Sequence, residues 1–269
     1  MQVPGFVRRL AVHALVQSYY MIATSLFVAI SAVVGTRLLL LSRRTRCKPE
    51  LLLGMGVLGT AVLGYGVLIA AIVVRGPEKL VATRAIEQVL QGVGVVLHDV
   101  GVTCFVLFVL FTFRAGERWA IGLAGLLLGS LWLGEIGWES QNHFRSATVG
   151  NAFWWLRYGV IWTYPLWAMI ESYRYYALMR RRLALGLVDP MVANRFFLWG
   201  TGSLGTCLAI WVSSIPLLLV DDPVRALTLM PPIQIATATV GVATVVVYYL
   251  TFFPPAAYRR WVIGTPAPA

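Results

Sequence analysis

Seven runs of about twenty mostly apolar residues follow one another along this chain of 269 residues, each long enough to cross a hydrocarbon core of ~30 Å. They lie at about 17–41, 51–74, 89–113, 119–139, 152–177, 196–219 and 232–253. In lipid every backbone amide must be satisfied within its own segment, so runs of this kind fold as helices. Composition agrees: 59% of the residues are hydrophobic, only 12% are charged, and the mean hydropathy is +0.77. A soluble domain carries about twice that charged share. The connections are too short to hold a soluble domain. The expected fold is all-α: an integral membrane bundle of seven transmembrane helices over 17–253, with an N-terminal segment 1–16 before it and a tail 254–269 after it.

The N-terminal segment can form an interfacial helix, with Phe6, Val7, Leu10 and Ala14 on one side and Arg8 and Arg9 on the other. Its opening, MQVPGFVRRL, does not read as a cleavable signal. A net charge of +11 raises nucleic acid as a partner, but the arginines cluster at helix ends, where topology and anionic lipid explain them. Arg43, Arg44, Arg46 and Lys48, then Arg114 and Arg118, then Arg180, Arg181, Arg182 and Arg195, then Arg259 and Arg260 all fall at one end. By the positive-inside rule that end is cytoplasmic and the N-terminus is outside. Arg8 and Arg9 run against this. The setting implied is the cytoplasmic (inner) membrane, crossed several times. Cys47, Cys104 and Cys207 are far apart and lack metal-ligand spacing, so they read as ordinary thiols.

Tryptophans fit the same frame: Trp138, Trp154 and Trp155 belong to an outer aromatic belt, and Trp119, Trp199 and Trp261 to an inner one. Glycines predict close helix packing in span two (Gly54, Gly56, Gly59, Gly64, Gly66) and in span four (Gly122, Gly125, Gly129). Pro165 and Pro216 fall inside spans and predict kinks.

Residues 174–200 read RYYALMRRRLALGLVDPMVANRFFLWG. Gly186 can end one helix, and Asp189-Pro190 can cap the next. This segment resembles the corresponding inner loop of uncharacterised bacterial seven-helix proteins and sensor-type membrane modules. The seven-helix, N-out arrangement also resembles the opsin and G-protein-coupled-receptor architecture. The resemblance implies a sensor whose basic 178–195 connection meets a cytoplasmic or membrane partner. A covalent retinal is argued against, because a Schiff base needs a lysine in the last span and the chain has only Lys48 and Lys79. The acidic-Arg-Tyr triplet of the receptors is absent too, since span three ends VLFTFRA.

Ionisable residues within spans are costly and mark function or pairing. Span three contains His98 and Asp99, with Gln91 and Thr103 extending the polar stripe. Span four ends in GEIGWESQNH, where Glu135, Glu139 and His143 recur at four-residue steps on one face. Span five brings Arg157 to a similar depth, with Tyr158 beside it and Tyr164 lower. Three readings stay open. The group can be a buried network of Arg157 with Glu135 or Asp99 and His98. It can be a ligand pocket, with His98, Asp99, Glu135, Glu139 and Arg157 as polar contacts and Trp138, Trp154, Tyr158 and Tyr164 as walls. It can be a metal site from His98, Asp99, Glu135, Glu139 or His143, which have suitable donors but no H-E-x-x-H spacing.

Other chemistry finds little support. A bis-histidine haem needs two facing imidazoles, and only His98 is inside a span. Ser213 and Ser214 have no evident base, and phosphate-binding loops are missing. Glu171 and Arg174 read as an interfacial ion pair at i,i+3. The functional expectation is a receptor-like protein taking a small ligand from the outer side. Its rivals are a transporter or proton relay through His98 and Asp99, a membrane-embedded metalloenzyme, and a non-catalytic subunit of a membrane complex. The run CFVLFVLFTF below Thr103 weighs against a relay along that helix.

Overall fold

The structure is a computed structural model that describes residues 4–75, 81–142, 151–219 and 223–264. These residues are almost wholly helical. In chain order they form α1 (Pro4–Thr45), α2 (Lys48–Val57), a π-helical segment (Leu58–Gly64), α3 (Tyr65–Arg75), α4 (Val81–Phe113), α5 (Arg118–Asn142), α6 (Ala152–Ala184), α7 (Pro190–Leu219), α8 (Pro223–Phe252) and α9 (Ala256–Ile263). The segment expected as a separate helix over 1–16 joins α1 without a break from Pro4. α2, the π segment and α3 run on as one rod, since the residues at both joins keep helical backbone angles.

Sequence neighbours pack side by side, and α8 returns to α1 to close the bundle. The apolar core centres on α4, where Val102, Val106 and Val109 are almost fully buried, and reaches Leu131 on α5 and Val160 and Trp167 on α6. Burial of each such side chain is worth about 1.5–3 kcal/mol from water, but much less from lipid, where close packing matters more.

Among the described residues six helices are long and apolar enough to cross a membrane: Leu15–Thr45, Lys48–Ala71, Ala85–Phe113, Arg118–Gln141, Pro190–Pro216 and Leu229–Phe252. This makes the chain a multi-pass membrane protein. The fifth expected span, 152–177, is a helix of ample length within α6 but is not among the six. Its tyrosines and tryptophans add little hydropathy, and Arg157 and Glu171 subtract from it. Both charges are nevertheless paired inside the bundle, as shown below.

Packing divides the glycines sharply. A Cβ on Gly59 in the π segment would come 2.8 Å from the Gly101 Cα on α4, so the two backbones touch there. A π turn bulges a helix outward, and this bulge is pressed against α4 at a point where neither helix has a side chain. By contrast Gly122, Gly125 and Gly129, expected as a packing face, have nothing within 4 Å of where a Cβ would stand. They lie on the exposed side of α5. The tryptophans divide too. Trp119, Trp155 and Trp261 are exposed and suit aromatic belts, whereas Trp138, Trp154 and Trp199 are buried in the bundle.

The turn between α6 and α7 follows the sequence reading closely. Gly186 adopts a positive φ of 69°, and the Leu187 amide bonds back to the Arg182 carbonyl at 3.0 Å, closing the helix end. Asp189 then accepts from the Met191 amide at 2.6 Å, with Pro190 at the first position of α7.

Candidate functional site

Three helices build the polar cluster. α4 supplies Asp99, which has no exposed surface, and His98 beside it. The π segment abuts this turn: a Cβ on Gly64 would come 2.8 Å from the His98 Cβ. The Tyr65 ring meets the His98 imidazole edge-on, centroids 6.1 Å apart. α5 supplies Glu135. It stands next to α6 because Gly134 precedes it, and a Cβ on Gly134 would fall 2.7 Å from the Arg157 backbone nitrogen. α6 begins where the Asn151 side chain accepts from the Trp154 amide at 2.9 Å. This N-cap sets the helical phase that brings Arg157 inward.

Arg157 and Asp99 form a two-pronged pair: Nε donates to Oδ2 and Nη2 to Oδ1, each at 2.8 Å. Planar guanidinium and carboxylate match in this geometry, which is the strongest common form of ion pair. His98 Nδ1 lies 2.9 Å from Asp99 Oδ1 and adds a third bond to the same carboxylate. Glu135 Oε2 is 2.7 Å from Arg157 Nε. That nitrogen has one hydrogen, already directed at Asp99, so Glu135 gains charge attraction without a hydrogen bond. Among the described residues neither Glu135 oxygen accepts one, although both are buried.

The cluster therefore holds two carboxylates against one guanidinium. Asp99 is fully served and Glu135 is left short. An apolar wall closes one side: Trp154, 1% exposed, stacks on Tyr158 with ring centroids 4.1 Å apart. The Arg157 Cζ lies 5.6 Å from the Tyr158 ring centre.

The structure thus brings His98, Asp99, Glu135 and Arg157 together, with Trp154 and Tyr158 beside Arg157. Trp138 is buried on α5 and Glu139 is half-buried one turn beyond Glu135. Tyr164 stands apart. It stacks with Phe105 at 5.8 Å and belongs to the apolar core, two turns along α6 from Arg157. His143 lies outside the described residues. A metal reading fares poorly, because the Arg157 guanidinium stands where a cation would face both carboxylates. Among the described residues no three His, Cys, Asp or Glu side chains gather as metal ligands.

Two further contacts escaped the sequence reading. Trp132 Nε1 donates to Thr103 Oγ1 at 3.1 Å, and Thr103 in turn donates to the Asp99 carbonyl at 2.8 Å, tying α5 to the polar stripe of α4. Trp162 Nε1 donates to Ser214 at 3.1 Å between α6 and α7. A buried indole N–H usually takes an acceptor, although Trp154, Trp167 and Trp199 have none among the described residues; the hydroxyls of Thr103 and Ser214 are the signal that was available.

At the arginine-rich end the expected pair changes. Glu171 is buried, not interfacial, and accepts from Arg114 Nε on the α4–α5 turn at 2.9 Å. Arg174 reaches it only at 4.0 Å from an exposed position. The reason is direction: Glu171 faces the core, and the chain leaving α4 delivers Arg114 there. The hydrogen bond to Glu171 raises the Arg114 pKa above the ordinary arginine value. Tyr175 seals the joint by donating to the Phe113 carbonyl at 3.2 Å.

A small apolar cavity of about 30 Å³ lies among Ile30, Val34, Val57, Phe105, Trp199 and Tyr248. It is nearer the arginine-rich end than the cluster is, and it has room for a water or a methyl group rather than a ligand. No family model, curated protein or solved structure matches this chain.

Proposed function

We propose that this chain is a receptor-like membrane protein of seven crossings, with α6 as the seventh. In this reading the N-terminus lies outside and the arginine-rich end lies in the cytoplasm of a bacterial-type inner membrane. A small ligand reaches the Asp99–Glu135–Arg157 cluster from the outer side. The observation that carries this is Glu135, a buried carboxylate with no hydrogen bond to either oxygen. Leaving such a group without a hydrogen bond costs about 1–3 kcal/mol or more, set against the charge attraction of Arg157 2.7 Å away. A ligand bearing an ammonium, guanidinium or other N–H group satisfies it and uses the Trp154–Tyr158 stack as an apolar wall. The signal then passes through α6, which links Arg157 at one end to Glu171 and the basic 178–195 connection at the other.

Transport or proton relay is the weaker reading, because α4 beyond Thr103 buries Val106, Val109 and Phe113 rather than polar groups. A thermal-shift screen of small amines on the detergent-purified full chain tests the proposal. The expected result is an amine that stabilises the wild type and loses that effect in Glu135→Gln. An effect that survives intact in Glu135→Gln removes Glu135 from the site. No stabilising compound in a broad amine set counts against the cationic class.

A further inference from the structure

α9 leaves the bundle immediately after the last apolar span and buries none of its residues. Its faces are nevertheless sorted. At 100° per residue, Ala257, Tyr258, Trp261 and Val262 share one side, and Arg259 and Arg260 point to the other, where Ala256 and the exposed Ile263 also fall. Trp261 is 76% exposed on the apolar side, with the Tyr258 ring of its own helix 5.7 Å from it. The Asn194 side chain on α7 fixes the helix against the bundle: its Nδ2 donates to the Tyr258 hydroxyl at 3.0 Å, and that hydroxyl donates to Asn194 Oδ1 at 3.3 Å.

The neighbouring α6–α7 turn has the same character. Leu185 and Leu187 flank Gly186 and are 72% and 71% exposed. Arg180, Arg181 and Arg182 before them, and Arg195 after them, are exposed as well. Bare apolar side chains among exposed arginines, at the level where α8 ends, match the boundary between headgroups and acyl chains. A soluble acidic partner would answer the arginines but leave Trp261 and the two leucines in water.

We infer that α9 and the 185–187 turn form a two-part anchor for anionic phospholipid, with Trp261, Leu185 and Leu187 entering the acyl boundary and Arg259 and Arg260 facing the headgroups. An amphipathic basic helix lies in the interface in this way, and each arginine near an anionic surface adds to the attraction. The Asn194–Tyr258 bond holds the two parts at one height.

The test uses the full chain with Cys47→Ser, carrying a nitroxide on Trp261→Cys or on Arg259→Cys. Cys104 and Cys207 are buried, and Cys47→Ser alone measures any labelling of them. The protein is placed in nanodiscs of phosphatidylcholine, with or without phosphatidylglycerol. Collision with oxygen reports the acyl region, and collision with a water-soluble nickel chelate reports the aqueous side. The expected result is an oxygen-accessible, nickel-shielded label at 261 and a nickel-accessible one at 259. Shielding at 261 should increase severalfold with phosphatidylglycerol and lose that gain in Arg259→Gln/Arg260→Gln. A label at 261 open to nickel in both lipids overturns the anchor. Equal shielding in both lipids overturns its anionic preference, and dipolar broadening between labels assigns the face to a second copy instead.

Discussion

Arg157 meets two buried carboxylates and divides itself unequally between them. Both of its hydrogen bonds go to Asp99, while Glu135 receives only proximity. Removing one partner of a buried pair strands the other charge and costs about 3–5 kcal/mol. Arg157→Met should therefore lower thermal stability severely, because it strands two carboxylates at once. Arg157→Lys should recover only part of the loss, since an ammonium is a point charge that cannot make the parallel fork. The check is the melting temperature of the three proteins in one detergent. Equal stability of the lysine and arginine forms would show that charge alone matters and that the fork does not.

At the scale of elements, two glycine contacts decide where the cluster can form. Gly134 lets α5 touch the backbone of α6 at Arg157, and Gly59 lets the π segment touch α4 at Gly101. Gly134→Val forces these backbones apart, and overpacking of this kind costs about 1–3 kcal/mol. Gly125→Val adds a side chain on an open face and should leave the melting temperature nearly unchanged. The comparison is made on purified proteins; a Gly125→Val variant as unstable as Gly134→Val would mean that the open face is packed in the membrane, for instance by a second copy. The contrast also shows what sequence can and cannot reveal about packing. The spacing of Gly122, Gly125 and Gly129 is a better helix-packing pattern than Gly134 and Gly137, yet the latter pair makes the close approach. Pattern records which residues share a face. It does not record which face the bundle turns inward.

The same distinction runs through the whole molecule. The apolar runs were legible because lipid imposes a length and a polarity on each helix, and six helices among the described residues satisfy both conditions. α6 satisfies only the first by itself, since Arg157 and Glu171 become tolerable in a membrane only through Asp99 and Arg114 on other parts of the chain. The meeting of His98, Asp99, Glu135 and Arg157 was legible from depth alone, because helices alternate in direction and equal depth brings polar groups level. The replacement of Arg174 by Arg114 as the partner of Glu171 was not, because it depends on the direction of a side chain.

If α6 crosses, the number of crossings is odd and the termini lie on opposite sides. Reporter fusions active only inside or only outside, placed at each end, should give opposite results, with the C-terminal fusion inside. Matching results would leave α6 out of the membrane. In the proposed reading Asp99 holds the bundle together, whereas Glu135 is kept for the ligand. The most direct measurement is the thermal unfolding of Asp99→Asn beside Glu135→Gln. Asp99→Asn should lose several kcal/mol, about the cost of breaking a buried pair, while Glu135→Gln should be neutral or more stable because it removes a buried carboxyl that has no hydrogen bond. A Glu135→Gln protein as destabilised as Asp99→Asn would contradict the account, since Glu135 would then be an ordinary structural partner of Arg157.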